Sequence, residues 1–144
     1  YIYICDDFLM LRIYEDAKIP MYGSEGSAGF DIYSYEDYEL KPGETKAIST
    51  GIATEFEKGL VCLIWDRSGL GLKVIHKFAG VIDSDYRGEW KIVIHNSTNN
   101  VFQIKKGDKI AQAIFQNYYS AEFIEIKELS ETFRGKGGFG STGR

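Results

Sequence analysis

Apolar and β-branched positions in this chain come in short runs, each closed by a turn signal. The runs are LRIY (11–14), GFDIYS (29–34), TKAIST (45–50), LVCLIW (60–65), AGVID (79–83), WKIVIH (90–95), VFQI (101–104), KIAQAIF (109–115) and AEFIEIK (121–127). Between them stand Lys41-Pro42-Gly43, Glu57-Lys58-Gly59, Asn99-Asn100 and Lys106-Gly107-Asp108, residues that favour tight turns. Starts spaced at roughly 8–12 residues are typical of all-β folds. Alternation adds to this: in AEFIEIK, Phe123 faces away from Ile124 and Ile126, as on a half-buried strand. Helical periodicity is confined to SGLGLK (68–73), where two glycines weaken it. The pattern predicts an all-β, jelly-roll-like β-barrel with one short helix and a flexible C-terminal arm.

Three segments follow from this reading. Residues 1–9 (YIYICDDFL) have neither the basic region nor the small-residue cleavage site of a signal peptide, and are expected to be an extension without catalytic role, either disordered or paired on a sheet edge. Residues 10–130 form the barrel domain, and residues 131–144 the glycine-rich arm. The 144 residues, 44% hydrophobic and 26% charged, are enough for one domain with its own core. No window approaches 18 apolar residues, so no membrane partner is expected. A net charge of −4 argues against a nucleic-acid partner. Cys5 and Cys62 are too few for a disulfide framework, and Cys62, inside LVCLIW, reads as a buried thiol. His76 and His95 have no matching ligand pair for structural zinc.

Five stretches carry candidate chemistry. In SAGFDIYS, Asp31 lies within an apolar strand, either on its wet face or held by partners in a site. In DRSGLGLK, Arg67 and Ser68 open the candidate helix, where unpaired N–H groups favour an anion; a plain Ser68 cap explains the pattern equally well. In AGVIDSDYRGEW, Asp83 and Asp85 share one face of an extended chain, as a general base with a structural partner or as two turn-forming aspartates. In GDKIAQAIF, Gln112 is a polar residue in an apolar strand, facing solvent or ligand. The tail RGKGGFGSTG (134–143) puts Arg134, Phe139, Ser141 and Thr142 among five glycines. A P-loop would require a helix after Thr142, and only Gly143 and Arg144 follow. A lid that orders on ligand, or a low-complexity tail, remains.

In this order and spacing, AGFD, RSGL, GVIDSDYRGE, GDKIAQ and RGKGGFGSTG resemble the five motifs of the homotrimeric dUTPase family, over roughly residues 11–143. The resemblance implies hydrolysis of dUTP to dUMP and pyrophosphate by water attack on the α-phosphorus. That reaction keeps uracil out of DNA and supplies dUMP for thymidylate synthesis. It implies Asp83 as general base, Tyr86 against the deoxyribose, and a hairpin of Ala79, Gly80 and Val81 that reads uracil with backbone groups. Arg67, Ser68, Gly69 and Gln112 would hold phosphates, and Asp31 would hold waters of a Mg²⁺ bound chiefly by the triphosphate. Phe139 would stack on uracil while Arg134, Gly138, Gly140, Ser141 and Thr142 close over the nucleotide from another subunit. A cytoplasmic homotrimer with three shared sites is implied.

Two positions depart from the family pattern. Asp66 stands where proline is usual, a carboxylate near a triphosphate unless it points away or pairs with Arg67 or Lys73. Lys109 stands where arginine is usual, and cannot make a bidentate contact. Two rival functions stay open at this point: a dCTP deaminase, which is similar in fold, and a regulatory binding protein on the same scaffold.

Overall fold

A computed structural model describes residues 8–138 of the chain. Twelve strands run in the order β1 (Leu9–Arg12), β2 (Met21–Tyr22), β3 (Phe30–Tyr33), β4 (Tyr38–Leu40), β5 (Thr45–Ser49), β6 (Ile52–Glu55) and β7 (Leu60–Trp65), then β8 (Ile75–Phe78), β9 (Val81–Ile82), β10 (Lys91–Asn96), β11 (Phe102–Ile104) and β12 (Lys109–Asn117). One helix, α1 (Ser68–Gly71), separates β7 from β8. All pairings are antiparallel, in a five-stranded sheet β2-β3-β12-β7-β9, a three-stranded sheet β5-β10-β8, and two pairs, β1-β6 and β11-β4. The all-β, jelly-roll-like expectation holds, with the pairings distributed over these four sheets and no single closed ring among the described residues.

Alternation explains how the sheets pack. Ile92, Ile94 and Asn96 of β10 point inward, as do Phe30 and Ile32 of β3. Ile110, Ala111 and Ala113 are buried in β12, whose small residues let β3 and β7 flank it in the middle of the largest sheet. Trp90 lies at the centre with no exposed surface, its indole Nε1 donating to Thr54 Oγ1 at 3.0 Å. Asn96, also fully buried, donates to the carbonyls of Leu40 and Asn100 and accepts from Thr98, so its polar atoms are satisfied.

Four short strands escape the sequence pattern: β2, β4, β6 and β8 are two to four residues long, too few for alternation to stand out. One expectation is corrected. Residues 121–127 form no strand; the segment has no partner strand among the described residues, and Phe123, Ile124 and Ile126 are exposed. At the end of residues 1–9, Leu9 takes the sheet-edge alternative, pairing with Glu55 of β6. Phe8 packs its ring 4.7 Å from Phe115 and 5.7 Å from Phe56, and Leu9 opens β1, so both belong to the fold. Among the described residues no helix is long and apolar enough to cross a membrane.

Candidate functional site

The predicted site residues fall into two groups. The first surrounds the end of the five-stranded sheet where β3, β7 and β12 lie side by side. Asp31 on β3 pairs across from Gln112 on β12, which in turn faces Trp65 on β7. Asp31 is ion-paired on both oxygens, Oδ1 with Arg67 Nε at 3.0 Å and Oδ2 with Lys109 Nζ at 2.6 Å. Arg67 also reaches the Lys109 carbonyl through Nη1 at 3.4 Å. Of the two alternatives for Asp31, the structure therefore shows a carboxylate held by partners.

Arg67 itself occupies the position before α1, in extended geometry, and no side chain caps the helix. Ser68 and Gly69 form its first turn, so the plain Ser68 cap is not what this serine does. Gln112 is half-buried, its Nε2 donating to the Asp66 carbonyl at 2.9 Å. Gly29 makes room for that amide: a Cβ there would sit 2.8 Å from Gln112 Oε1.

Asp66 points away from this group. Its Oδ1 accepts from the Lys77 backbone N–H at 2.6 Å, and His76 Nδ1 lies 4.0 Å from Oδ2. It pairs with neither Arg67 nor Lys73. The carboxylate that replaces the usual proline thus ties the end of β7 to β8, away from the sheet end where Arg67 and Gln112 converge.

The second group lines a cleft of about 260 Å³ between the two larger sheets, walled by Ile64, Phe78 and Val93 and bordered by Ala79, Asp83 and Tyr86. Its floor is a sharp reversal at Ala79 (φ 63) and Gly80 (φ 140), where β8 leaves to pair with β10 and β9 turns to pair with β7. Gly80 is required there twice over. Its φ is one that L side chains rarely adopt, and a Cβ would lie 2.9 Å from Ile64 Cβ. The Gly80 carbonyl accepts from Ile64 N–H at 2.7 Å, fixing the reversal to β7. Lys77 Nζ donates to the Ala79 carbonyl at 3.2 Å.

Asp83 begins a turn whose Tyr86 N–H donates to its carbonyl at 3.1 Å. The Tyr86 ring lies across Gly88, where a Cβ would collide with ring atoms, Cε2 among them at 2.8 Å. Arg87 holds the turn from outside, Nη1 donating to the Ser84 carbonyl at 2.7 Å and Nη2 facing Glu55 Oε1 at 3.5 Å.

Among the described residues, Arg67, Ser68, Gly69 and Gln112 do not line the cleft that holds Ala79, Gly80, Val81, Asp83 and Tyr86. One chain keeps the two groups apart. On the tail, Arg134 is exposed and donates through Nε to the Gly137 carbonyl at 2.9 Å, and Gly138 is half-exposed. Phe139, Gly140, Ser141 and Thr142 lie outside the described residues. Sequence reasoning missed Gly88 and Glu89 as site neighbours; both lie within the motif GVIDSDYRGE, and their contacts are ones that only the fold creates.

Comparison with known proteins gives a consistent result. The family profile described as dUTPase matches residues 15–143. A deoxyuridine 5'-triphosphate nucleotidohydrolase of Nautilia profundicola is 48% identical over 136 residues, spanning 92% of this chain and 96% of its own. The dUTPase of Staphylococcus bacteriophage 80alpha, solved with dUPNHPP, superposes with a TM-score of 0.89 at 27% identity, over 96% of this chain and 99% of that one. A mutant dUTPase from S. aureus phage phi11, solved with a structural Mg(II) ion, superposes with a TM-score of 0.79 at 25% identity, over 88% of this chain and all of that one (100%).

Proposed function

Because this chain belongs to the dUTPase family, we propose that it hydrolyses dUTP to dUMP and pyrophosphate. The observation that carries this reading is the cleft at the Ala79–Gly80 reversal, with Asp83 and Tyr86 at its border. Backbone groups held by a forced reversal cannot move to suit another base, and a tight pocket rejects an added methyl. Uracil fits against Ala79, Gly80 and Val81, and Tyr86 packs against the deoxyribose where a 2'-hydroxyl would otherwise lie. Asp83 takes the proton of a water aimed at the α-phosphorus.

Arg67, Ser68, Gly69 and Gln112 hold the triphosphate, whose negative charge the two cations beside Asp31 also favour. No three metal-ligating side chains come together among the described residues. That fits a Mg²⁺ bound mainly by phosphate oxygens with Asp31 behind its waters, since Mg²⁺ commonly keeps several of them. Asp31, held by Arg67 and Lys109, would be the side chain that holds those waters. The ion supplies charge neutralisation on the phosphate oxygens.

The reading is of a homotrimer acting on the cytoplasmic nucleotide pool. Two observations support shared sites. The phosphate group and the nucleoside cleft do not meet within one chain, and residues 121–133 carry exposed Phe123, Ile124, Ile126, Leu129 and Phe133. A segment this apolar needs a partner surface. The arm beyond it then brings Arg134, Gly138, Phe139, Gly140, Ser141 and Thr142 over a neighbour's nucleotide.

Pyrophosphate release with Mg²⁺ from dUTP, dCTP, dTTP and UTP tests the assignment, in the wild type and in Asp83→Asn. Release from dUTP alone, reduced about 10²–10⁴-fold in the variant, is the expected result for loss of a general base. Undiminished release by Asp83→Asn would remove Asp83 from the chemistry.

A further inference from the structure

Glu89 is a carboxylate that the nucleotide reading leaves without a task. It borders the same cleft, yet its side chain is only 15% exposed. Its Oε1 accepts from Ser49 Oγ in a short hydrogen bond and from Gly51 N–H at 2.9 Å. Lys91 Nζ stands 3.9 Å from Oε2. Gly51 is a rigid donor. Its φ is 72, and a Cβ would meet Ala17 Cβ at 2.8 Å and Tyr14 Cδ2 at 2.9 Å, so the backbone there is packed in place.

A largely buried carboxylate is an expensive way to fill space, and an apolar side chain of similar volume often serves stability as well or better. What Glu89 provides instead is a fixed point. Its own main-chain carbonyl accepts the Tyr86 hydroxyl at 3.1 Å. The chain of contacts runs from Gly51 and Ser49, through the Glu89 carboxylate and backbone, to the phenol of the ring that faces the sugar. The turn between them contains Gly88, which adds no side chain to hold the ring from below. We propose that Glu89 is a positioning residue for Tyr86, and that discrimination between deoxyribose and ribose triphosphates depends on it. The proposal rests on the reading of Tyr86 given above.

The test compares kcat/KM for dUTP and UTP in the wild type, Tyr86→Ala, Glu89→Leu, Glu89→Gln and Ser49→Ala, with Tm for each. Loss of stability alone lowers both rates in proportion and leaves their ratio unmoved. Glu89→Leu is expected to lower the dUTP/UTP ratio at least about tenfold, because a displacement near 1 Å at a packed sugar is enough for such an effect. Glu89→Gln keeps an acceptor oxygen and is expected to retain the ratio within about twofold. If Glu89→Leu does not fold, Ser49→Ala, which removes one of the two anchors, carries the test with an expected fall of about two- to fivefold. A wild-type ratio in Glu89→Leu, or in Ser49→Ala where that variant stands in, with a collapsed ratio in Tyr86→Ala, overturns the role of Glu89 alone. A wild-type ratio in Tyr86→Ala overturns both assignments.

Discussion

Cys62 lies fully buried in β7, and burial pushes its thiol up to about 12. The neutral thiol is the form the fold favours, so the unfolded chain gives up this proton first as pH rises. The sign follows: stability linked to Cys62 is complete below the ordinary thiol range, near 9.0, and is lost as pH climbs from there toward about 12. The difference in unfolding free energy between wild type and Cys62→Ala is expected to hold steady up to about pH 9 and then to shrink toward pH 10.5, by on the order of 1 kcal/mol per pH unit. A constant difference would place the thiol in contact with water. In a Cys5→Ser background, iodoacetamide is expected to label Cys62 only after unfolding.

Asp66 shows what one residue does at the level of elements. By accepting from Lys77 N–H and lending its main-chain carbonyl to Gln112, it joins β7, β8 and β12 at one point. Proline at this position keeps the carbonyl and loses the side-chain acceptor. Asp66→Pro is therefore expected to destabilise the fold by about 1 kcal/mol while raising KM for dUTP less than about tenfold. Thermal melts and steady-state kinetics check both, and a KM rise above a hundredfold would mean that Asp66 acts on the phosphates directly. Strands long enough to alternate, such as β7, β10 and β12, were legible in the sequence, and so was the ordered set of motifs. The direction of Asp66 was not, because it is decided by where β8 passes. Glu89 was hidden for the same reason: its partners Ser49 and Gly51 stand 40 and 38 residues away. The run AEFIEIK has the pattern of a strand and finds no partner strand among the described residues.

At the scale of the whole molecule, that run bears on the proposed trimer. Among the described residues β1 belongs to a two-stranded sheet with β6 alone beside it, and Leu9 and Leu11 on it are exposed. An exposed apolar strand edge and an exposed alternating segment are complementary needs. Burying an isoleucine is worth about 1.5–3 kcal/mol, and a trimer repeats that gain three times. Ile124→Asp combined with Ile126→Asp is expected to shift sedimentation velocity from trimer to monomer and to abolish dUTP turnover in parallel. A fully active monomer would show that one chain completes its own site.

The reversal at Ala79–Gly80 has a consequence beyond catalysis. Since β8 departs into one sheet and β9 into another, the surface proposed to read the base is also the seam along which those sheets meet. Fidelity is then a property of the interior. On that proposal, a lineage whose core drifts at Ile64 or Ile92, both lining the cleft, would drift in its choice of base without altering a single group at the rim. Engineering a new base preference would begin in the hydrophobic layer, with side-chain volume as the instrument.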